Sequence, residues 1–283
     1  MFFKDVAFGQ YYPVNSPIHR MDARVKLLLT FLFVVSIFFI KSYFGFMLTA
    51  VLLVAVILIA RLPMMSVLKS IRGVLLVMML TALINLFLGG ENGSEILWQW
   101  KSLVITETSV HTTIKLVLRL ILLISGATLL SLTTTPVELA DGVESLLTPL
   151  KLIRVPVRDI AMIMSIALRF IPTLFEETNK VVSAQKSRGA AFDTGNPFAR
   201  IKALLPVLIP LFVSSFRRAD ELAFAMDSRC YNASEKRVKM RTHKIGFADI
   251  ISSFIMSGYV VVVMLDTYYW KGLIDTLIFG GLL

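Results

Sequence analysis

Five long apolar stretches constrain the fold of this chain more than any other feature of its sequence. Each approaches the roughly 20 apolar residues that a helix needs to cross about 30 Å of hydrocarbon. Only 17% of the residues are charged and 56% are hydrophobic, whereas soluble domains carry about 25% charged residues. We therefore predict an all-α polytopic membrane protein with about five transmembrane helices. The predicted spans are Val25–Ile40, Phe44–Ala60, Val74–Leu88, Leu116–Leu132 and Phe247–Leu265.

Charged residues between the spans predict the orientation of the chain in the membrane. The 29 Lys and Arg outnumber the 19 Asp and Glu. Basic residues lie in the leader, which is the segment before the first span, and in the loop between Arg61 and Arg72. The next loop contains Glu91 and Glu95 instead. Because Lys and Arg accumulate in cytoplasmic loops, we expect the amino terminus inside and the carboxyl terminus outside. A sixth span in the apolar run 204–213 would instead place the carboxyl terminus inside.

The distribution of charge divides the chain into three regions. Residues 1–132 hold the first four predicted spans, and residues 247–283 hold the last span and a carboxyl-terminal tail. The middle region, residues 133–246, is rich in Lys and Arg but still carries apolar residues at helical spacing. We expect this region to be cytoplasmic and to hold the function.

Three helices are predicted in the middle region. The first begins at Pro136, because Thr135 can cap it, proline suits the first helical position, and Glu138 completes a capping box. The other two are longer and are expected over residues 156–188 and about 203–229. The apolar half of the third helix is short and contains prolines, so we expect it to lie against the membrane interface or other helices.

Both long helices are predicted to end in an arginine between small residues. The two triplets are Ser187, Arg188, Gly189 and Ser228, Arg229, Cys230. One explanation is structural, because a cation at a helix carboxyl end is favoured by about 0.3–1 kcal/mol and glycine is a common helix stop. The other is functional, because small neighbours leave a planar, five-donor guanidinium free to enter a pocket of a partner protein. The repetition of the triplet favours the functional explanation.

Several longer motifs resemble those of a known membrane-protein family. The leader reads Ser-Pro-x-His-x-x-Asp-x-Arg-x-Lys over residues 16–26, and further motifs lie at Leu168–Pro172, Gln185–Gly189 and Phe216–Ala223. In these motifs the chain resembles the transmembrane T component of energy-coupling factor transporters, which are ABC-type importers of vitamins and metals. The resemblance covers nearly the whole chain.

The resemblance implies a role for the two arginines. Arg188 and Arg229 fall on the family's two X-Arg-X motifs, at the tips of cytoplasmic coupling helices, and each would dock in a groove of one of two ABC-type ATPase subunits. The helices would pass ATP-driven motion to a separate substrate-binding membrane subunit, the S component, within the cell membrane. The chain departs from the family pattern at Ser187 and Ser228, and at Asp227 where glutamate is common, but these residues keep the flanks small or the charge unchanged.

The sequence offers no catalytic or cofactor motif. There is no Gly-x-x-x-x-Gly-Lys-Ser/Thr phosphate-binding loop, so a partner would have to hydrolyse any ATP. The residues His19, His111 and His243 are scattered and Cys230 is the only cysteine, so neither a metal nor another cofactor is expected. We therefore predict a non-catalytic subunit.

Other functional classes find less support in the sequence. An independent secondary transporter would show inverted hydropathy repeats and broken helices at the midplane, and neither is visible. An enzyme acting on lipid would need a clustered nucleophile or metal set. Nucleic-acid binding is disfavoured because the basic residues flank apolar helices beside the membrane.

The sequence also predicts the contacts of two further groups of charged residues. Arg119 is expected one turn inside the outer end of the fourth span, where it would snorkel, pair with a carboxylate or make a functional contact. Arg217 and Arg218 are expected to form local ion pairs with Asp220 and Glu221.

Overall fold

The structure, a computed structural model, describes residues 11–88, 96–100, 103–149, 156–190, 197–231 and 246–270. Its elements follow the chain as helices with one hairpin. They are α1 Ala23–Phe39, α2 Tyr43–Ala60, α3 Met64–Leu88, β1 Ile96–Trp100, β2 Leu103–Thr106, α4 Glu107–Thr133, α5 Pro136–Leu147, α6 Val157–Ser187, α7 Pro197–Ser228, α8 Phe247–Leu265 and a π-helical turn Asp266–Trp270.

The predicted all-α membrane fold is confirmed. Within the described ranges, four helices are long and apolar enough to cross a bilayer, and they are α2, α3, α4 and α8. They overlap four of the five predicted spans, although α3 begins ten residues before the predicted Val74 and includes Lys69 and Arg72, which were expected in the preceding loop. The remaining predicted span corresponds to α1, which has only 17 residues and is not among these four.

Helix α4 begins nine residues before the predicted span. Thr106 caps it, since the backbone N–H of Ser109 donates to the Thr106 Oγ1 at 3.2 Å, and the polar first turns stay helical. Arg119 therefore lies 12 residues after the first residue of α4, whereas its depth in the membrane stays a prediction. Arg119 also pairs with no carboxylate among the described residues. Its Nη2 donates to the carbonyl of Ile40 at 2.9 Å and its guanidinium lies 6.0 Å from the Phe46 ring centroid.

A β-hairpin precedes α4 and was not predicted. Strands β1 and β2 pair antiparallel, with Trp98 opposite Ile105 and Trp100 opposite Leu103. The strands have only five and four residues, so they are too short to show as spans, although their aromatic and β-branched residues favour this conformation.

The described residues fall into two compact units, one built around α1–α4 and α8 and the other around α6 and α7. In the first unit, the core combines apolar side chains such as Ile37, Ile57 and Val263 with a buried polar cluster. The Tyr259 hydroxyl lies 2.8 Å from Thr49 Oγ1 and accepts from Ser36 Oγ at 3.3 Å. These bonds satisfy hydroxyls that would otherwise be costly to bury inside a bilayer.

The leader is fixed to this first unit by a buried polar network. Lys26 is only 5% exposed, and its Nζ donates to the carbonyls of His19 and Thr133 at 3.2 and 3.0 Å. Thr133 is the last residue of α4, so the ammonium stabilises the negative end of that helix. Asp249 of α8 accepts the backbone N–H of Asp22 at 3.0 Å, which joins the starts of α1 and α8.

The three helices predicted in the middle region are present, although the third begins earlier than predicted. The capping box of α5 is confirmed, since the N–H of Thr135 donates to Glu138 at 3.1 Å and the N–H of Glu138 donates to Thr135 Oγ1 at 3.3 Å. Helix α6 follows the predicted bounds within one residue at each end. Helix α7 begins at Pro197, six residues earlier than predicted, because a proline is well tolerated at the first helical position.

Candidate functional site

Helix α6 ends in a left-handed stop directly after Arg188. Gly189 has φ +87°, as the sequence predicted for this glycine. The N–H of Gly189 donates to the carbonyl of Lys186 and the N–H of Ala190 to that of Gln185, both at 3.0 Å. This pair of bonds is a Schellman motif, which satisfies carbonyls that the helix leaves open. Arg188 occupies the last position before the chain turns away.

Helix α7 ends in the same motif directly after Arg229. Cys230 takes the place of the glycine with φ 53°, and its N–H donates to the carbonyl of Asp227 at 2.9 Å. The N–H of Tyr231 donates to the carbonyl of Met226 at 3.0 Å. The sequence did not predict this left-handed cysteine, because only glycine and, less often, asparagine signal such a stop. The two triplets are therefore alike in backbone geometry as well as in sequence.

Within each triplet, the arginine offers the free hydrogen-bond donors. All six triplet residues are exposed. Ser187 Oγ donates to the carbonyl of Ser183 at 3.1 Å, and Ser228 Oγ donates to that of Phe224 at 2.7 Å, so both hydroxyl protons are used within their own helix. In the part of the chain that the structure describes, neither guanidinium has a side-chain hydrogen bond or an ion pair. Each can therefore offer its full fork of donors to another molecule.

Side-chain contacts show that α6 and α7 run antiparallel. Tyr231 contacts Met162 near the start of α6, whereas Arg218 bonds to Glu177 further along it. Residue numbers that increase along α6 thus lie opposite residue numbers that decrease along α7. Arg188 and Arg229 consequently lie at opposite ends of the helix pair.

A polar contact between the two helices centres on Glu177. One carboxylate oxygen accepts from Arg218 Nη2 at 3.0 Å and the other accepts from Ser214 Oγ. The Arg218 guanidinium also lies 5.7 Å from the ring centroid of Phe170. The predicted local ion pairs were wrong, since among the described residues Arg218 pairs across to α6 and not with Asp220 or Glu221.

Helices α6 and α7 also expose many large apolar side chains. Such a surface on a charged, amphipathic helix pair suits contact with another apolar surface. The exposed side chains include Ile160, Ile163 and Met164 of α6, and Leu208, Ile209, Phe212 and Phe216 of α7. Within the described ranges, no group of three or more His, Cys, Asp or Glu side chains could hold a metal ion.

Comparison with known proteins identifies the family to which this architecture belongs. The model of a family described as cobalt transport protein, CbiQ, matches residues 14–240, a range that includes both arginine triplets. The energy-coupling factor transporter transmembrane protein EcfT of Ruminiclostridium cellulolyticum is 44% identical over 94% of this chain and 98% of its own length. The EcfT proteins of Limosilactobacillus fermentum and Staphylococcus aureus are 40% and 37% identical, over 83% and 92% of this chain and 88% and 96% of their own lengths. The chain thus belongs to the family of transmembrane proteins of energy-coupling factor transporters.

Proposed function

We propose that this chain is the coupling subunit of an energy-coupling factor importer of the ABC type. Arg188 and Arg229 each dock in a groove of one of two cytoplasmic ATPase subunits. The observation that carries the proposal is that both arginines cap long helices with the same Schellman geometry, exposed and with their donors free. A planar fork of five donors on a helix end can enter a pocket lined with acceptors, and it loses less conformational entropy per hydrogen bond formed than a lysine would.

The proposed mechanism uses the helices as mechanical elements. The ATPase subunits close on ATP and reopen after hydrolysis, and the arginines pass this motion into α6 and α7. The exposed apolar faces of these helices then move a substrate-binding S component that imports a vitamin or another micronutrient. In this proposal the chain lies in the cell membrane, with its amino terminus and α5–α7 on the cytoplasmic side.

Copurification with the candidate ATPase subunits tests the docking role. We expect Arg188→Ala and Arg229→Ala chains to insert into the membrane normally but to retain the ATPases poorly, because truncation leaves the acceptors of each groove unpaired. A loss of about 2 kcal/mol, typical of a buried arginine anchor, weakens binding about 30-fold. Arg61→Ala is the matched control, since Arg61 is also an exposed arginine at a left-handed helix end.

Lysine variants separate docking from a simple effect of charge at a helix end. Arg188→Lys and Arg229→Lys keep the positive charge but lose the planar fork, so we expect them to restore ATPase binding only weakly. Full ATPase binding by both lysine variants, or an equal loss in the Arg61→Ala chain, would show that the arginines act only on helix stability.

A further inference from the structure

The contact centred on Glu177 lies at an equal distance from both proposed docking ends. Arg188 follows Glu177 by 11 residues, and Arg229 follows Arg218 by 11 residues. At 1.5 Å per residue each arginine lies about 16 Å along its helix from the ion pair. The helix segments that run from this contact to the two arginines, residues 177–188 and 218–229, therefore have the same length.

The chemistry of the contact suits a fixed joint between the helices, meaning a contact that holds α6 and α7 in one register and one crossing geometry. The side chains of Glu177 and Arg218 are only 27% and 29% exposed, so water screens the ion pair less than it would on an open surface. Both carboxylate oxygens are engaged, and their partners Ser214 and Arg218 lie one turn apart on the same face of α7. Apolar contacts alone allow helices to slide or pivot, whereas such directional bonds specify one register.

We propose that Glu177 is a positioning residue whose carboxylate fixes the crossing of α6 and α7 and thereby the spacing of Arg188 and Arg229. The inference rests on the proposed docking role and adds a requirement to it. With the spacing fixed, engagement of one arginine presents the other at a high effective concentration to the second ATPase subunit. Without the joint, weaker contacts such as that of Tyr231 with Met162 set the spacing, and the second arginine meets its groove at a lower effective concentration.

Distance measurements on the full chain in lipid nanodiscs test the joint itself. Nitroxide labels on the exposed native Cys230 and on Ser187→Cys report the separation of the two ends by pulsed electron resonance. We expect a narrow distance distribution that broadens with Glu177→Gln and narrows again when Glu177→Arg is combined with Arg218→Glu. Glu176→Gln, at the exposed neighbouring carboxylate, is the matched control and should leave the distribution narrow.

A double-mutant comparison with the ATPase subunits tests the consequence for docking. Glu177→Gln should weaken ATPase retention severalfold when both arginines are present and add nothing in the Arg188→Ala chain, where only one end can dock. A general folding defect would act equally in both chains. Equal effects in the two chains, or an unchanged distance distribution in Glu177→Gln, would overturn the inference. If the ATPases fail to bind even the native chain, the proposed function is wrong, and the distance distributions alone decide whether Glu177 forms the joint.

Discussion

At the scale of single residues, Gly189 and Cys230 occupy the same position in two like helix ends. Glycine adopts a left-handed conformation freely, but a residue with a Cβ loses roughly 1 kcal/mol or more there. A Cβ at position 189 would meet no atom within 4 Å, so the difference between the two positions lies in the backbone and not in packing. The end of α7 is therefore the more strained of the two.

Cys230→Gly should stabilise the end of α7, whereas Gly189→Ala should destabilise the end of α6. We expect Cys230→Gly to slow amide hydrogen exchange of residues 229–231 about fivefold, as a gain of about 1 kcal/mol requires. Gly189→Ala should speed the exchange of residues 188–190 by a similar factor. Cys230→Ala keeps a Cβ and serves as the control for loss of the thiol. An equal gain in Cys230→Ala and Cys230→Gly would contradict the backbone explanation.

Residue contacts could be predicted from the sequence where they are local. The capping box of Thr135 and Glu138 joins residues three positions apart, and a sequence pattern describes it completely. The partner of Arg218 is Glu177, 41 residues away. This pairing depends on how two helices meet, which a local sequence pattern does not describe. Arg188 and Arg229 are exposed, which is consistent with the small residues that flank them. Their docking role stays a prediction.

At the scale of elements, α1 and α4 make a tight contact at Gly126. A Cβ built there would overlap the ring of Phe33, a buried side chain in the core. Glycine is thus required for this helix contact, as small residues commonly are where membrane helices pack.

Gly126→Ala should consequently destabilise the membrane unit. We expect a loss of about 1–3 kcal/mol, because the added methyl group forces the Phe33 ring to move. Thermal unfolding in detergent should show a midpoint lower by several degrees. Gly258→Ala in α8 is the matched control, since its methyl group would meet no atom within 4 Å. A similar decrease in both variants would mean that helix packing at Gly126 is not the cause.

Helix boundaries show what an apolar pattern can and cannot predict. The pattern gave the bounds of α6 within one residue, because Pro156 precedes its amphipathic run and Gly189 follows it. It placed the starts of α3, α4 and α7 too late, since their first turns contain charged or polar residues or proline. The hairpin before α4 was missed because its strands are much shorter than a span.

At the scale of the whole molecule, the leader network joins segments that are distant in the sequence. His19 lies between Ser16 Oγ, 2.7 Å from its Nδ1, and the carbonyl of Tyr12, 3.1 Å from its Nε2. Because a carbonyl only accepts, Nε2 carries the proton, and the neutral ring is bonded on both sides. Burial lowers the pKa of His19 below its ordinary value of 6.5.

This pKa shift predicts a pH dependence of stability. Below pH 6.5 the unfolded chain binds a proton at His19 more readily than the folded chain, so acidification favours unfolding. The stabilisation is complete above pH 6.5 and is lost as the pH falls toward the lowered pKa. We expect the unfolding midpoint in detergent to fall between pH 7.5 and 5, and His19→Gln to reduce this fall. His111→Gln is the control and should keep it; an unchanged pH profile in His19→Gln would exclude this histidine as the cause.

The 11 residues between the helix joint and each arginine have a geometric consequence. Eleven residues make about three full turns of an α-helix, so Arg188 lies on the same side of α6 as Glu177, and Arg229 on the same side of α7 as Arg218. One inserted residue would rotate the arginine by about 100° around its helix axis. A whole turn inserted in one segment would keep the direction of its arginine but lengthen that segment by about 5.4 Å, so the proposed spacing constrains both the helical phase and the length of these two segments.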